Sequence, residues 1–180
     1  EMQMKDYKLT EGNIASALVK LAIPIMGTSF VQMAYNLTDM LWIGKLGSGA
    51  VAAVGTAGFF IWLSVAFILL SRIGAEVFVA QSVGRKDLNT AKMYVCSSLQ
   101  LNVILAILYS GFLIIFRKQL ISFFNLGNEK IIEQGISYLV IVACGQIFYF
   151  TNQVLSGIFN GYGDSKTPFV INSIGLICNM

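Results

Sequence analysis

LGSGAVAAVGTAGFFIWLSVAFILLS, residues 46–71, runs for 26 positions without an Asp, Glu, Lys or Arg. An α-helix needs about 20 predominantly apolar residues to cross a bilayer, and this stretch exceeds that. The pattern repeats outward from it. Between Lys20 and Lys45 the only charge is Asp39, and residues 93–116 and 134–163 carry none. No charge follows Thr167 through Met180. These windows predict an all-α membrane protein, a polytopic bundle with helices at about 14–44, 51–83, 92–116, 131–158 and 167–180. The fifth, at about 14 residues, is too short to span. The sequence starts at Glu1 rather than Met and stops in mid-helix. It therefore reads as the N-terminal part of a longer membrane protein, one unit over residues 1–180.

Composition agrees. Of 180 residues, 56% are hydrophobic and 12% charged, with a mean hydropathy of +0.73. Soluble domains carry roughly a quarter charged residues, so lipid rather than water must solvate this surface. That excludes a soluble enzyme and a disordered tail. The net charge of +3 is scattered, without the basic cluster that a phosphate-binding face needs, so nucleic acid is no partner. There is no histidine, hence no imidazole base, no His-bearing metal site and no Ser-His-Asp triad. Cys96, Cys144 and Cys178 sit in apolar runs without a CxxC and read as small hydrophobes. Two motif look-alikes fail. Asn36-Leu37-Thr38 spells a glycosylation sequon inside an apolar span. Gly163-Asp164-Ser165-Lys166-Thr167 is similar to a phosphate loop but has Ser165 where glycine must precede the lysine.

Short turn-forming segments join the helices: 44–49, 84–87, 125–128 and 160–164. Residues 116–124, with Arg117, Lys118, Phe123 and Phe124, read as an amphipathic interfacial stretch. No cleavable signal is visible. A cytoplasmic N-terminus puts Lys5, Lys8, Lys20, Arg85, Lys86, Lys92 and Lys166 inside, and Lys45, Arg117, Lys118 and Lys130 outside. Seven against four favours that orientation in the plasma (inner) membrane.

Asp39 is the residue most suggestive of chemistry. A carboxylate in a span costs about 2.5–3.5 kcal/mol on insertion scales. Ser29, Gln32, Asn36 and Asp39, with Tyr35, form one polar stripe on the first helix. A buried carboxylate has a raised pKa that nearby amides can tune, as a proton- or sodium-coupled site requires; the alternative is a hydrogen bond that holds helices together. The fourth helix carries Gln146, Tyr149, Gln153 and Ser156, with Asn152 beside them, and the fifth carries Asn172 and Asn179 on one face. Lipid offers such faces no partner, so together they predict an internal polar cavity with Gln32, Gln153 and Asn172 in its wall. Met26, Met33 and Met40 repeat every seven residues; Met33 is the candidate for a pliable apolar contact with ligand, though packing also explains such a face. Arg72 and Glu76, four apart, read as a neutralising pair within the second helix. Pro24 removes a backbone bond inside the first helix, marking a hinge or a fixed bend.

Ala22-Ile23-Pro24-Ile25, Tyr35-Asn36-Leu37-Thr38-Asp39-Met40 and Ile43-Gly44-Lys45-Leu46-Gly47 resemble the first helix of the multidrug and toxic compound extrusion (MATE) family. Val51-Ala52-Ala53-Val54-Gly55 resembles the start of its second helix, and Val79-Ala80-Gln81-Ser82-Val83-Gly84 with Asp87 the end. Gly161-Tyr162-Gly163-Asp164-Ser165-Lys166-Thr167-Pro168 resembles the loop into its fifth. The resemblance implies a transporter of two pseudo-symmetric six-helix lobes that exports organic cations against H+ or Na+ influx. This chain would be the first five transmembrane helices of the N-terminal lobe, with the C-terminal lobe as its partner and no cofactor. By the same resemblance Asp39 matches the cation-coupling aspartate, Tyr35 its aromatic neighbour, Pro24 the kink proline and Asn179 a fifth-helix asparagine. Asn152 is a looser match, Asn36 adjoins Asp39 on the stripe, and a sodium ion would sit at Asp39 and Asn179. Two rival readings stand: a lipid-linked oligosaccharide flippase of the same superfamily, and a non-transporting membrane bundle.

Overall fold

Along residues 48–84 the buried side chains include Ala53, Ala57, Phe60, Ser64, Ile68, Ser71, Ala75, Val79 and Ser82. Steps of three and four place them on one helical face. Six of the nine are Ala or Ser, small enough to let a neighbouring backbone approach, as helix pairs in lipid require. The computed structural model describes residues 14–179, with side chains for 15–178, and shows what that face meets. The helices are α1 (Ile14–Gly44), α2 (Ser48–Gly84), α3 (Leu88–Ile115), α4 (Arg117–Ser122), α5 (Glu129–Gly161) and α6 (Lys166–Asn179), with no strand among the described residues. Helices α1, α2, α3 and α5 are long and apolar enough to cross a membrane, and α6 is shorter.

α2, α3 and α5 form the packed trio. α5 runs parallel to α2: Gly135 faces the Ala53 carbonyl, Gly157 faces Arg72, and Gly161 faces Glu76 and Val79. α3 runs antiparallel to α2: the Tyr109 hydroxyl donates to the Phe60 carbonyl, Ser71 donates to Asn102, and Phe78 stacks on Tyr94. The core between them includes Ala57, Phe60, Ile68, Ala106, Tyr109, Leu113, Leu139, Ala143 and Phe150. α4 lies against α5, with Ile121 buried beside Gly135.

Helix starts follow loop chemistry rather than the point where charge stops. α3 begins at Leu88, four residues before the expected 92, because Asp87 caps it by accepting from the Thr90 backbone N–H (3.1 Å) and hydroxyl (2.6 Å). Those hydrogen bonds hold the Asp87 carboxyl below its ordinary pKa. Asn128 caps α5 by accepting from the Lys130 N–H. Asp164 accepts from the Lys166 and Thr167 N–H groups and from the Thr167 hydroxyl. The stretch similar to a phosphate loop is therefore the cap of α6.

Candidate functional site

α1 stands apart from the trio. None of its described residues is buried, and it leans mainly on α6, where Gly27 lets the Phe169 ring approach closely. The helix continues through Pro24, with the Thr28 hydroxyl donating to the Pro24 carbonyl at 3.0 Å. Between α1, α5 and α6 the structure leaves a cavity of about 450 Å3. Gln32, Tyr35 and Asn36 from α1, Tyr149, Asn152 and Gln153 from α5, and Asn172 from α6 line it. A second cavity of about 750 Å3 lies between α1, α2 and α5. Asp39 lines it with Met40, Trp62, Tyr138 and Gln146, and it shares Tyr35, Asn36 and Tyr149 with the first. The two are chambers with a common wall.

Most of the residues expected to act together are thus neighbours. The amides of the first chamber are also linked. The Asn152 Nδ2 donates to the Asn172 Oδ1 at 3.4 Å, and the Asn172 Nδ2 donates to the Pro168 carbonyl at 2.7 Å. Asn152 lines only the first chamber and Asp39 only the second, so the shared Tyr35, Asn36 and Tyr149 are what connect them. Asp39 is exposed rather than buried, because α1 has so little packed around it.

Other expectations need correction. Met33 lines neither chamber and is 59% exposed. A step of one residue turns it about 100° from Gln32, onto the flank of α1, and of its heptad partners only Met40 reaches a cavity wall. Ser29, on the stripe, donates to the Ile25 carbonyl and lines neither chamber. Ser156 donates to the Asn152 carbonyl. The Asn179 side chain, and with it the sodium pairing with Asp39, lies outside the described residues. Among those described, no three His, Cys, Asp or Glu gather as a metal site. Arg72 both keeps its charge partner Glu76 one turn along α2 and reaches past its own helix, where its Nη1 donates to the Gln153 Oε1 at 3.0 Å. Several wall residues escaped the sequence reading, among them Tyr138, Gly55 and Gly58. Tyr138 lies within an apolar run, and Gly55 and Gly58 open the α2 side of the second chamber; the last two follow Gly47 and Gly49 in a glycine-dense stretch.

Comparison with known proteins agrees with this architecture. The MatE family model matches residues 24–180. The "Probable multidrug resistance protein YpnP" of Bacillus subtilis is 28% identical over 98% of this chain and 40% of its own length. A solved outward-facing conformation of a multidrug resistance MATE family transporter superposes with a TM-score of 0.88 at 27% identity. A MOP superfamily transporter from Pyrococcus furiosus, whose binding pocket is described as of reverse polarity, gives 0.87 at 27% identity. Each of those two comparisons covers 98% of this chain and 39% of the other. The chain therefore spans about two fifths of the length of the proteins it matches.

Proposed function

The chain belongs to the MatE family, and from that premise we propose that it forms the N-terminal lobe of an antiporter. The antiporter exports organic cations in exchange for protons or sodium ions, in the plasma membrane, with the N-terminus cytoplasmic. The observation that carries this reading is the convergence of Gln32, Asn36, Asn152, Gln153 and Asn172 around one chamber. Hydrogen-bonding side chains in lipid surroundings are expensive unless they serve each other or a cavity. Here two of the five also bond to each other.

Asp39 supplies the charge and Tyr35 and Asn36 tie it to the chamber beside it. Ion binding at Asp39 and drug binding in the polar chamber favour different conformations, and one lobe rocks against the other between them. α1 is suited to bend, since Pro24 inside it has no N–H to hold the preceding turn. A one-for-one exchange of a monovalent cation moves no net charge and is driven by the ion gradient alone; each further ion that enters adds about 2.3 kcal/mol per 100 mV from the membrane potential.

Ethidium accumulation in efflux-deficient cells tests this, with the full-length protein as wild type and as Asp39→Asn. Reduced accumulation with the wild type alone is the expected result. Equal reduction by both would remove Asp39 from the coupling. No reduction by either, with both proteins in the membrane, would refute drug export and favour transport of a lipid-linked sugar.

A further inference from the structure

Gly157 brings α2 and α5 together at Arg72. A Cβ there would lie 2.9 Å from the Arg72 Cγ and 3.0 Å from its carbonyl oxygen. That approach lets the guanidinium reach Gln153, one turn back along α5, and donate from Nη1 to Oε1 at 3.0 Å. Gln153 is 8% exposed and lines the first chamber. A glutamine amide has one accepting and one donating end. Guanidinium only donates, so the amide cannot turn round without facing donor to donor. With Oε1 committed to Arg72, what Gln153 can offer a ligand is Nε2. Its neighbour is fixed the opposite way: the Asn152 Nδ2 is committed to Asn172, whose own Nδ2 is committed to the Pro168 carbonyl. Adjacent residues of α5 thus offer a donor and an acceptor.

We propose that Arg72 is the positioning residue that fixes Gln153 as a hydrogen-bond donor to the ligand. The first chamber then selects molecules that carry a carbonyl or carboxylate acceptor besides a cationic centre. The inference rests on the transport reading and adds a specificity to the same site. Arg72 acts from behind the wall, with its charge offset by Glu76 one turn along α2.

Two dyes with the same cationic core separate this role from a structural one. Rhodamine B carries a carboxyphenyl group on a diethylamino xanthene cation; pyronin B is that cation without it. Equilibrium binding of each to the purified full-length protein in detergent is measured by fluorescence for wild type, Arg72→Met and Gln153→Glu. Arg72→Met is expected to weaken rhodamine B about tenfold, the worth of a strong hydrogen bond, and to leave pyronin B within about twofold. Gln153→Glu keeps the side-chain size and gives Arg72 a stronger partner, so it folds even where Arg72→Met does not. It is expected to weaken rhodamine B about tenfold or more without weakening pyronin B. Equal weakening of both dyes by Arg72→Met would make Arg72 scaffolding alone and overturn the proposal. Unchanged rhodamine B binding in Gln153→Glu would overturn it as well. If the wild type binds neither dye, the transport reading falls and this inference with it; if it binds both and the variants fail to discriminate, only the inference falls.

Discussion

Gln146 shows how much one residue can hold in tension. It sits 1% exposed on the wall of the second chamber, and neither its Oε1 nor its Nε2 has a hydrogen-bond partner. Asn102, equally buried, at least receives the Ser71 hydroxyl on its Oδ1 at 3.4 Å. An unpaired buried amide costs about 1–3 kcal/mol. Replacing Gln146 with Leu, of similar volume, should therefore raise the stability of the purified protein by about 1–2 kcal/mol, seen as a higher melting temperature in detergent. The same variant should lose transport if the amide serves passage through the chamber. A melting temperature that falls would mean instead that water or ligand pairs with the amide. Sequence reading placed Gln146 on a stripe with Tyr149, Gln153 and Ser156 and predicted one shared cavity. In the structure these residues divide among the second chamber, both chambers, the first chamber and a helix carbonyl. Helical spacing specifies a direction around the axis, but not which neighbouring helix stands there.

At the scale of elements, the α2–α5 crossing is governed by Gly157 and Gly161, a small-xxx-small pair. A Cβ at Gly161 would lie 2.8 Å from the Glu76 carbonyl oxygen, and one at Gly157 would press on Arg72. Backbone cannot yield as a side-chain tip can, so Gly161→Ala should destabilise by about 1–3 kcal/mol. Gly111 in α3 has nothing within 4 Å of such a Cβ. Gly111→Ala should be neutral or stabilising by up to about 1 kcal/mol from helix propensity. Thermal unfolding of the two variants side by side checks both signs; equal melting temperatures would mean that the crossing is looser than these distances. The long helices were legible because lipid demands uninterrupted apolar runs, and charge-free windows find those. The start of α3 was not, since Asp87 begins that helix inside a charged loop. Nor was the hydrogen-bond partner of Arg72. Glu76 lies four residues away in sequence, whereas Gln153 lies 81 away and is reached only because Gly157 admits the backbone of α2. The methionine repeat on α1 likewise announced a face without saying whether cavity or surroundings would meet it.

At the scale of the whole molecule, the fold sorts the basic residues by end of the bundle. With α2 and α5 parallel and α3 antiparallel, Arg85, Lys86, Lys92 and Lys166 gather at one end of the bundle. Lys45, Arg117, Lys118 and Lys130 gather at the other. Those two sets are four against four. Lys20, near the start of α1, tips the described residues toward the first end. The cytoplasmic side carries the excess of Lys and Arg, so the end bearing Lys86 is expected inside. Lys86 and Lys118 are both exposed and sit at opposite ends, which makes them suitable reporters. Cys96, Cys144 and Cys178 are free and exposed and would first be replaced by Ser. A membrane-impermeant maleimide should then label Lys118→Cys in intact cells, and Lys86→Cys only after permeabilisation. The reverse pattern would put the N-terminus outside. The seven-to-four count would then have been outweighed by charges elsewhere in the full-length protein, and the direction assigned to drug and ion across the two chambers would have to be reversed with it.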